Sequence, residues 1–431
     1  MNKLLALAMG LLFSVSAVDA QKYVPTPENL QNRKEFSDAK FGIFLHWGLY
    51  SMFAQGEWYM QNAGINAQEY AKAAQAFYPH RFNAHDWVAA FKAAGAKYIC
   101  FTTRHHEGFS MWNTEQSDYN IMNTPYGKDI VRQLADECHR QGMRLHLYYS
   151  HIDWTREDYP AGRTGRGCKR LDRADWNSYY SFMNHQLTEL LTNYGKVDAI
   201  WFDGWWDHQE DSSPFNWELE NQYRLIHSLQ PACLIGNNHH VKPFDGEDIQ
   251  IFERDVPGEN KAGLSGQDIG HLPLETCQTM NGMWGYKIVD QNYKSANELI
   301  QLLVRTSGKG ANLLLNIGPH PDGTLPDMAL QRLKEIGKWM EQNGETIYGT
   351  QEGSFKQGES VVSTRKGNIL YLHILDPKVH HLEIPMNRKV EDVSVFKNGE
   401  AVNFKCYRGH LELNVEVPTD CPDHILKVVL K

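Results

Sequence analysis

Between Phe41 and Ile317 the chain alternates short apolar, β-rich runs with longer stretches of helical periodicity, a pattern that leaves few folds open. The runs are Phe41 to Leu45, Lys97 to Phe101, Arg144 to Tyr148, Val197 to Phe202, Ala232 to Ile235, Ile249 to Phe252 and Asn312 to Ile317. Between them lie Ala84 to Ala94, Ile130 to Arg140, Trp176 to Asn193, Trp217 to Leu229 and Ala296 to Ser307, with apolar residues at helical spacing and Gly or Pro near many ends. Strands joined through helices pair in parallel. A doubly wound open sheet and a (β/α)8-like barrel both obey that rule. The alternation persists for roughly 250 residues, without a glycine-rich phosphate loop after the first strand, which favours the barrel. Seven strands are clear, and the eighth is expected near Leu274 to Met283.

After the helical stretch Met328 to Asn343 the texture changes. Short alternating runs, among them Ile369 to Ile374, Val393 to Phe396 and Leu426 to Leu430, are separated by turn residues and predict a small antiparallel β-sandwich. The division expected is a leader over 1–20, a barrel over 21–345 and a β-sandwich over 346–431. Lys3, the apolar stretch Leu4 to Val15 and the small-residue site Val18-Asp19-Ala20 read as an export signal, implying a periplasmic or secreted protein. No later stretch approaches the roughly 20 apolar residues of a membrane-spanning helix.

A net charge of -9 without a basic stripe argues against nucleic acid or an anionic membrane as partner. The basic, glycine-rich segment Arg163 to Arg173 reads as a loop. Seven cysteines with no paired short spacing imply neither a disulfide framework nor a zinc knuckle. The 12 Trp, 20 Tyr and 20 His suit a site that grips sugar rings by face and edge.

In such a barrel the site lies at the carboxyl ends of the strands, so the residues that follow each run carry the chemistry. They are His46-Trp47-Gly48, Arg104-His105-His106-Glu107, Tyr148-Tyr149-Ser150-His151, Trp201-Phe202-Asp203-Gly204 and Glu253-Arg254-Asp255. So many polar and aromatic groups at one mouth predict a pocket. Two carboxylates on different strands, Asp203 and Glu253, are the minimum for glycoside hydrolysis, one attacking or activating water and the other protonating the leaving oxygen. Mutual repulsion is expected to keep Asp203 ionised and Glu253 protonated. A zinc site is disfavoured: His105 and His106 would point to opposite faces if the extended pattern continued, and strand one has no second ligand beside His46.

Together with Glu57-Trp58-Tyr59, Arg104-His105-His106-Glu107-Gly108-Phe109 and Trp284-Gly285-Tyr286, these segments resemble the exported bacterial α-L-fucosidases of glycoside hydrolase family 29. The resemblance runs in order over nearly the whole chain. It implies an exo-acting, retaining α-L-fucosidase without metal or organic cofactor, acting on a fucosylated oligosaccharide or glycoconjugate. By the same resemblance Asp203 is the nucleophile, and His46, His105, His106, Tyr149 and Trp201 form the fucose pocket. Glu57 and Trp58 stand at its polar edge and Trp284 lies against the sugar's methyl group. Glu253 is the acid/base, ahead of Glu275 and Asp255. Asn237-Asn238-His239-His240 replaces an Arg-containing run of many relatives, with His239 or Arg254 as the candidate substitute donor. The alternatives are a glycosidase of another sugar, such as a galactosidase, and an inactive carbohydrate-binding barrel.

Overall fold

The computed structural model describes residues 22–353, 355 and 358–431; the leader expected over 1–20 lies outside them. Eight strands form one parallel sheet: β1 (Phe41–Leu45), β2 (Tyr98–Arg104), β3 (Arg144–Ser150), β4 (Ala199–Asp203), β5 (Leu234–Asn238), β6 (Gln250–Glu253), β7 (Leu274–Thr279) and β8 (Asn312–Ile317). Their order, β5-β4-β3-β2-β1-β8-β7-β6, curls the sheet into a nearly closed barrel. The seam between β5 and β6 is held by a parallel bridge from Gly236 to Ile249 and by two N–H groups, of Asp248 and Ile249, that donate to the Ile235 carbonyl at 2.7 and 3.1 Å.

The eighth strand lies where the sequence was ambiguous. Leu-Glu-Thr-Cys-Gln-Thr is polar on both faces because β7 carries a buried carboxyl inward and hydrogen-bonding side chains outward, so hydrophobic periodicity cannot mark it. The helices end where capping chemistry dictates. Asn83, Asp129 and Asp175 accept N–H groups of the turns they open, Ser295 and Glu298 form a capping box, and Gly142 closes its helix in left-handed geometry.

Strand periodicity divides the core in two. Phe44, Tyr148, Trp201, Ile251, Cys277 and Leu314 point into the barrel, whereas Ile43, Leu147, Tyr149, Phe202 and Leu313 face the helices. The helix Pro27–Ala39 closes the amino-terminal end of the barrel, with Phe36 packed on the rings of Tyr98 and His146. Above this floor Tyr98 donates to Glu275 at 2.6 Å.

The carboxyl-terminal strands form two antiparallel sheets. One joins β9 (Gln351–Glu352), β10 (Val361–Lys366), β11 (Ile369–Ile374), β13 (Val390–Val395) and β16 (His424–Leu430); the other joins β12 (His381–Pro385), β14 (Phe404–Tyr407) and β15 (His410–Asn414). Val362, Tyr371, Leu375 and Ile425 belong to the same apolar cluster as the barrel helices, so the sandwich is packed on the barrel as a buttress. All seven thiols are free.

Gly42 is a tight point of the barrel interior, since a Cβ there would stand 2.4 Å from the Tyr98 ring. Gly42→Ala is expected to lower the unfolding free energy by about 1–3 kcal/mol through overpacking. Denaturant or thermal midpoints measure this, and an unchanged midpoint contradicts the packing described.

Candidate active site

A cavity of about 160 Å³ opens at the carboxyl ends of the strands, and Asp203 at the end of β4 stands in its wall. Its side chain is nearly buried, so each oxygen needs a partner. Oδ1 accepts the Gly204 N–H at 2.8 Å and the Trp206 indole N–H at 3.0 Å, with the Asn238 amide at 3.5 Å; Oδ2 accepts the Tyr148 hydroxyl at 3.0 Å. Gly204 makes this possible. Its φ of 104° turns the chain so that its N–H faces the carboxylate, and a Cβ there would meet Ile152 at 2.6 Å. Burial and the nearby Glu253 raise the Asp203 pKa to about 6, against the lowering effect of His240, Trp206 and Tyr148.

Four imidazoles line the cavity, and burial keeps three of them neutral: His46 and His106 are lowered to about 3, and His105 is held well below its usual range. The hydrogen-bond network assigns two tautomers. Asn316 donates its amide to the Trp284 carbonyl, so its oxygen accepts His46 Nδ1–H at 2.7 Å and the His46 Nε2 lone pair is left for a ligand. Ser150 gives its hydroxyl hydrogen to the Ile152 carbonyl and accepts His106 Nδ1–H at 2.6 Å. The acceptor nitrogen of His106 then stands 3.6 Å from Asp203 Oδ2, a gap that a hydroxyl of a bound sugar can bridge.

Contrary to the extended-strand expectation, His105 and His106 face the same cavity, with ring centroids 4.1 Å apart. β2 ends at Arg104, and the chain reverses through a turn closed by Gly108 N–H on the His105 carbonyl at 2.9 Å. Arg104 braces this turn, paired with Asp153 at 2.7 Å in the interior and bonded to Ser150 and Tyr179.

Glu253, at the end of β6, shares the cavity with Asp203. Asn238 donates to its Oε2 at 2.8 Å and His240 lies 2.9 Å from the same atom. Burial alone would raise this carboxyl, but the hydrogen bond and charge of His240, with Asn238 and Arg254, hold it below the usual carboxylate range. Asp203 is thus shifted up and Glu253 down, opposite to the shifts that the expected division requires. The donors around Glu253 are the reason.

The aromatic walls are those read from the sequence, with one exchange. Trp58, Trp201 and Trp284 line the cavity, but Tyr149 does not: it faces the helices, donates to Gln186 at 2.8 Å and packs on Arg104. Its neighbour Tyr148 points into the barrel and donates its hydroxyl to Asp203, so it is the tyrosine of this pair that touches the site. Glu57 stands behind the wall, where its carboxylate accepts the Gly285 N–H at 2.7 Å and so fixes Trp284. Glu275 lies beneath the cavity floor, accepting from Tyr98 and, at 2.8 Å, from the Trp201 indole, and burial raises it to about 7. Asp255 is buried and accepts the Ala262 N–H. Neither Glu275 nor Asp255 lines the cavity.

In the variant run 237–240 the inward residues are Asn238 and His240; His239 turns away to Glu247 at 3.0 Å. Arg254 covers the Trp284 ring at 5.0 Å rather than entering the cavity. Arg163, Trp206, Asn238, His240, Leu264, Phe44 and Cys277 complete the lining and were not singled out from the sequence as pocket residues. The period-two rule applied to β1, β5 and β7 finds Phe44, Asn238 and Cys277; the loop residues leave no such signal.

Known proteins identify the family of the chain. The Alpha-L-fucosidase family model matches residues 10–345. The human plasma alpha-L-fucosidase is 31% identical over 366 residues, 78% of this chain and 73% of its own length. Alpha-L-fucosidase isoenzyme 1 from Paenibacillus thiaminolyticus superposes with a TM-score of 0.82 at 33% identity, covering 94% of this chain and all of that one. An alpha-L-fucosidase from Bacteroides thetaiotaomicron, trapped as a covalent intermediate with 2-fluoro-fucosyl fluoride, gives 0.80 at 25% identity over 93% of this chain and 96% of its own. A cavity with two carboxylates, neutral imidazoles and indole walls at the mouth of such a barrel, matched over this length, places the chain in the alpha-L-fucosidase family of glycoside hydrolases.

Proposed function

We propose that the chain is an exo-acting, retaining α-L-fucosidase in which Asp203 is the nucleophile and Glu253 the acid/base, acting on terminal α-L-fucose of oligosaccharides or glycoconjugates. The observation that carries this reading is Asn238, whose single amide nitrogen touches both carboxyls. The oxygens it joins are no more than about 6.3 Å apart, the sum of its two contacts, shorter than the roughly 6.5–9.5 Å of inverting enzymes. The covalent intermediate of the Bacteroides relative supports the same chemistry. Export, read from the first twenty residues, belongs to the proposal as well, and no helix among the described residues is long and apolar enough to cross a membrane.

In the first step Asp203 attacks the anomeric carbon while Glu253 gives its proton to the leaving oxygen; in the second Glu253 takes a proton from water, which displaces Asp203. Asp203 and Glu253 titrate together as a coupled pair. Positive charge developing at the anomeric carbon stabilises ionised Asp203, so substrate shifts the shared proton to Glu253, where the leaving oxygen accepts it. His46 and His106, each offering a lone pair, accept sugar hydroxyls, and the indoles cover the ring's apolar face. An inactive binding barrel is disfavoured because both carboxyls are present in one cavity.

Asp203→Gly should lower kcat/KM on aryl α-L-fucoside by a factor of about 10³ or more. Azide should rescue it to the β-fucosyl azide, whereas Glu253→Ala should yield the α-azide. The same anomer from both variants, or intact activity in Asp203→Gly, contradicts the assignment. A galactosidase would release aryl galactoside and leave the fucoside untouched.

The pH profile follows from the raised nucleophile. The productive free enzyme carries one proton on the pair. As pH rises through about 6 that proton is lost from Asp203 and none is left for substrate to shift to Glu253, so kcat/KM should drop about tenfold per further unit. A profile flat up to pH 8 contradicts this. The exchange of tyrosines is testable by Tyr148→Phe, which removes the hydroxyl on Asp203 and should cost roughly 10-fold in kcat/KM, about 1.4 kcal/mol. Tyr149→Phe should stay within about threefold, and a larger loss in Tyr149→Phe than in Tyr148→Phe would reverse the assignment.

A further inference from the structure

The basic, glycine-rich loop 163–173 takes no part in the chemistry at the anomeric carbon, yet buried polar contacts fix it against the cavity. Asp207, in the turn after the nucleophile strand, accepts the Thr164 N–H and the Tyr159 hydroxyl, both at 2.8 Å, and its carbonyl accepts the Arg163 N–H at 2.9 Å. Gly162 permits this approach, since a Cβ there would stand 2.1 Å from Asp207 Oδ2. Trp154 donates to Thr164 at 2.9 Å, and Gln61 accepts the Gly165 N–H at 2.7 Å. The same turn carries Trp206, which holds the nucleophile, so the loop and Asp203 share one mount.

This mount carries a basic loop beside the cavity. Arg163, ion-paired with Glu210 at 3.3 Å, is exposed, lines the cavity and lies 4.9 Å from the Trp206 ring. Next to it Arg166 and Arg170 line a separate cleft of about 410 Å³, with Asp172 as the acid in its lining. Arg166 is anchored through the Gly162 carbonyl and Arg170 through that of Arg156, each at 2.7 Å. Both anchors are neutral. Among the described residues, Arg166, Arg170 and the exposed Lys169 have no carboxylate within ion-pair distance, whereas neighbouring Arg156 and Arg173 are paired with Asp158 and Glu157. On a chain of net charge -9, three cations without an ion-pair partner on a braced loop, against the one carboxylate of Asp172, are a local reversal of sign.

Fucose in the cavity would be enclosed by the buried imidazoles and indoles, and Arg163, in the cavity lining, is where the cavity meets this loop, so an attached sugar that leaves on this side passes the loop. We propose that loop 163–173 is a subsite for an anionic sugar in the leaving group, one that carries a sulfate ester or a carboxylate, with Arg166, Lys169 and Arg170 as its charged face. The proposal rests on the fucosidase reading and adds the chemistry of the group released.

The test compares kcat/KM of the full chain on matched fucosyl oligosaccharides that differ only in a sulfate or a carboxylate on the adjacent sugars, with the neutral parent, at low and high ionic strength. The charged substrates should be preferred on the order of tenfold at low salt, with the preference shrinking as salt screens it. Preference for the sulfated member alone, the carboxylated member alone, or both would identify the anion accepted. Arg166→Gln and Lys169→Gln should each reduce the preference while leaving aryl α-L-fucoside hydrolysis within about twofold; Lys169 is exposed and without an ion-pair partner, so its variant keeps the loop. Equal rates on charged and neutral members in every pair, or a preference that both variants retain, overturns the proposal. Absence of aryl α-L-fucoside hydrolysis instead overturns the fucosidase reading itself.

Discussion

A carboxylate that must attack a sugar has to be shielded from water and still carry charge, and the barrel mouth is organised around that demand on Asp203. The donors that meet it come from different places: the next residue's own N–H, an indole one turn later, a tyrosine from the neighbouring strand and an amide from the strand on the other side. Parallel pairing puts Ser150, Asp203 and Asn238 in one register row across β3, β4 and β5, so two of the side chains around the nucleophile arrive by the same ladder. Slipping any one strand by a residue would turn its member of that row toward the helices.

Three of the imidazoles contribute by being uncharged. A protonated histidine beside Asp203 would stabilise the ionised resting state and oppose positive charge at the anomeric carbon. Burial removes that state for His46, His105 and His106, and Asn316 and Ser150 then decide which nitrogen faces the ligand. Glu253 is treated in the opposite way. His240 and Asn238 crowd one of its oxygens with donors, so its other oxygen is the one available to a leaving group.

Much of the architecture is legible in the sequence because the hydrophobic pattern dictates it: seven strands and five intervening helices follow from spacing, and the carboxyl-end rule then brings His46, Trp201, Asp203 and Glu253 to one mouth. The failures have specific causes. β7 is amphipathic in the wrong sense, since it buries Glu275 in the barrel, and pattern reasoning cannot see a buried carboxyl that is satisfied by Tyr98 and Trp201. In Tyr148-Tyr149 the two side chains have the same chemistry, and only the phase of the strand separates them; counting back from inward Ser150 selects Tyr148. His105-His106 fails for the opposite reason, because the strand stops one residue before the pair and a turn replaces alternation.

Glu275 shows why geometry has to precede acidity when such a site is read. With a pKa near 7 it has the acidity that a general acid at neutral pH is tuned to reach, and by acidity alone it would outrank Glu253. Yet both of its oxygens are occupied, one by the Tyr98 hydroxyl and the other by the Trp201 indole, and the Trp201 ring stands between it and the cavity. A proton there has no path to a glycosidic oxygen. Its raised pKa is the consequence of a carboxyl used as a structural acceptor in the dry interior, where it fixes the indole that forms the cavity wall. The more acidic Glu253 is open to substrate, and substrate can change its acidity at the moment of reaction, which no ligand can do for Glu275.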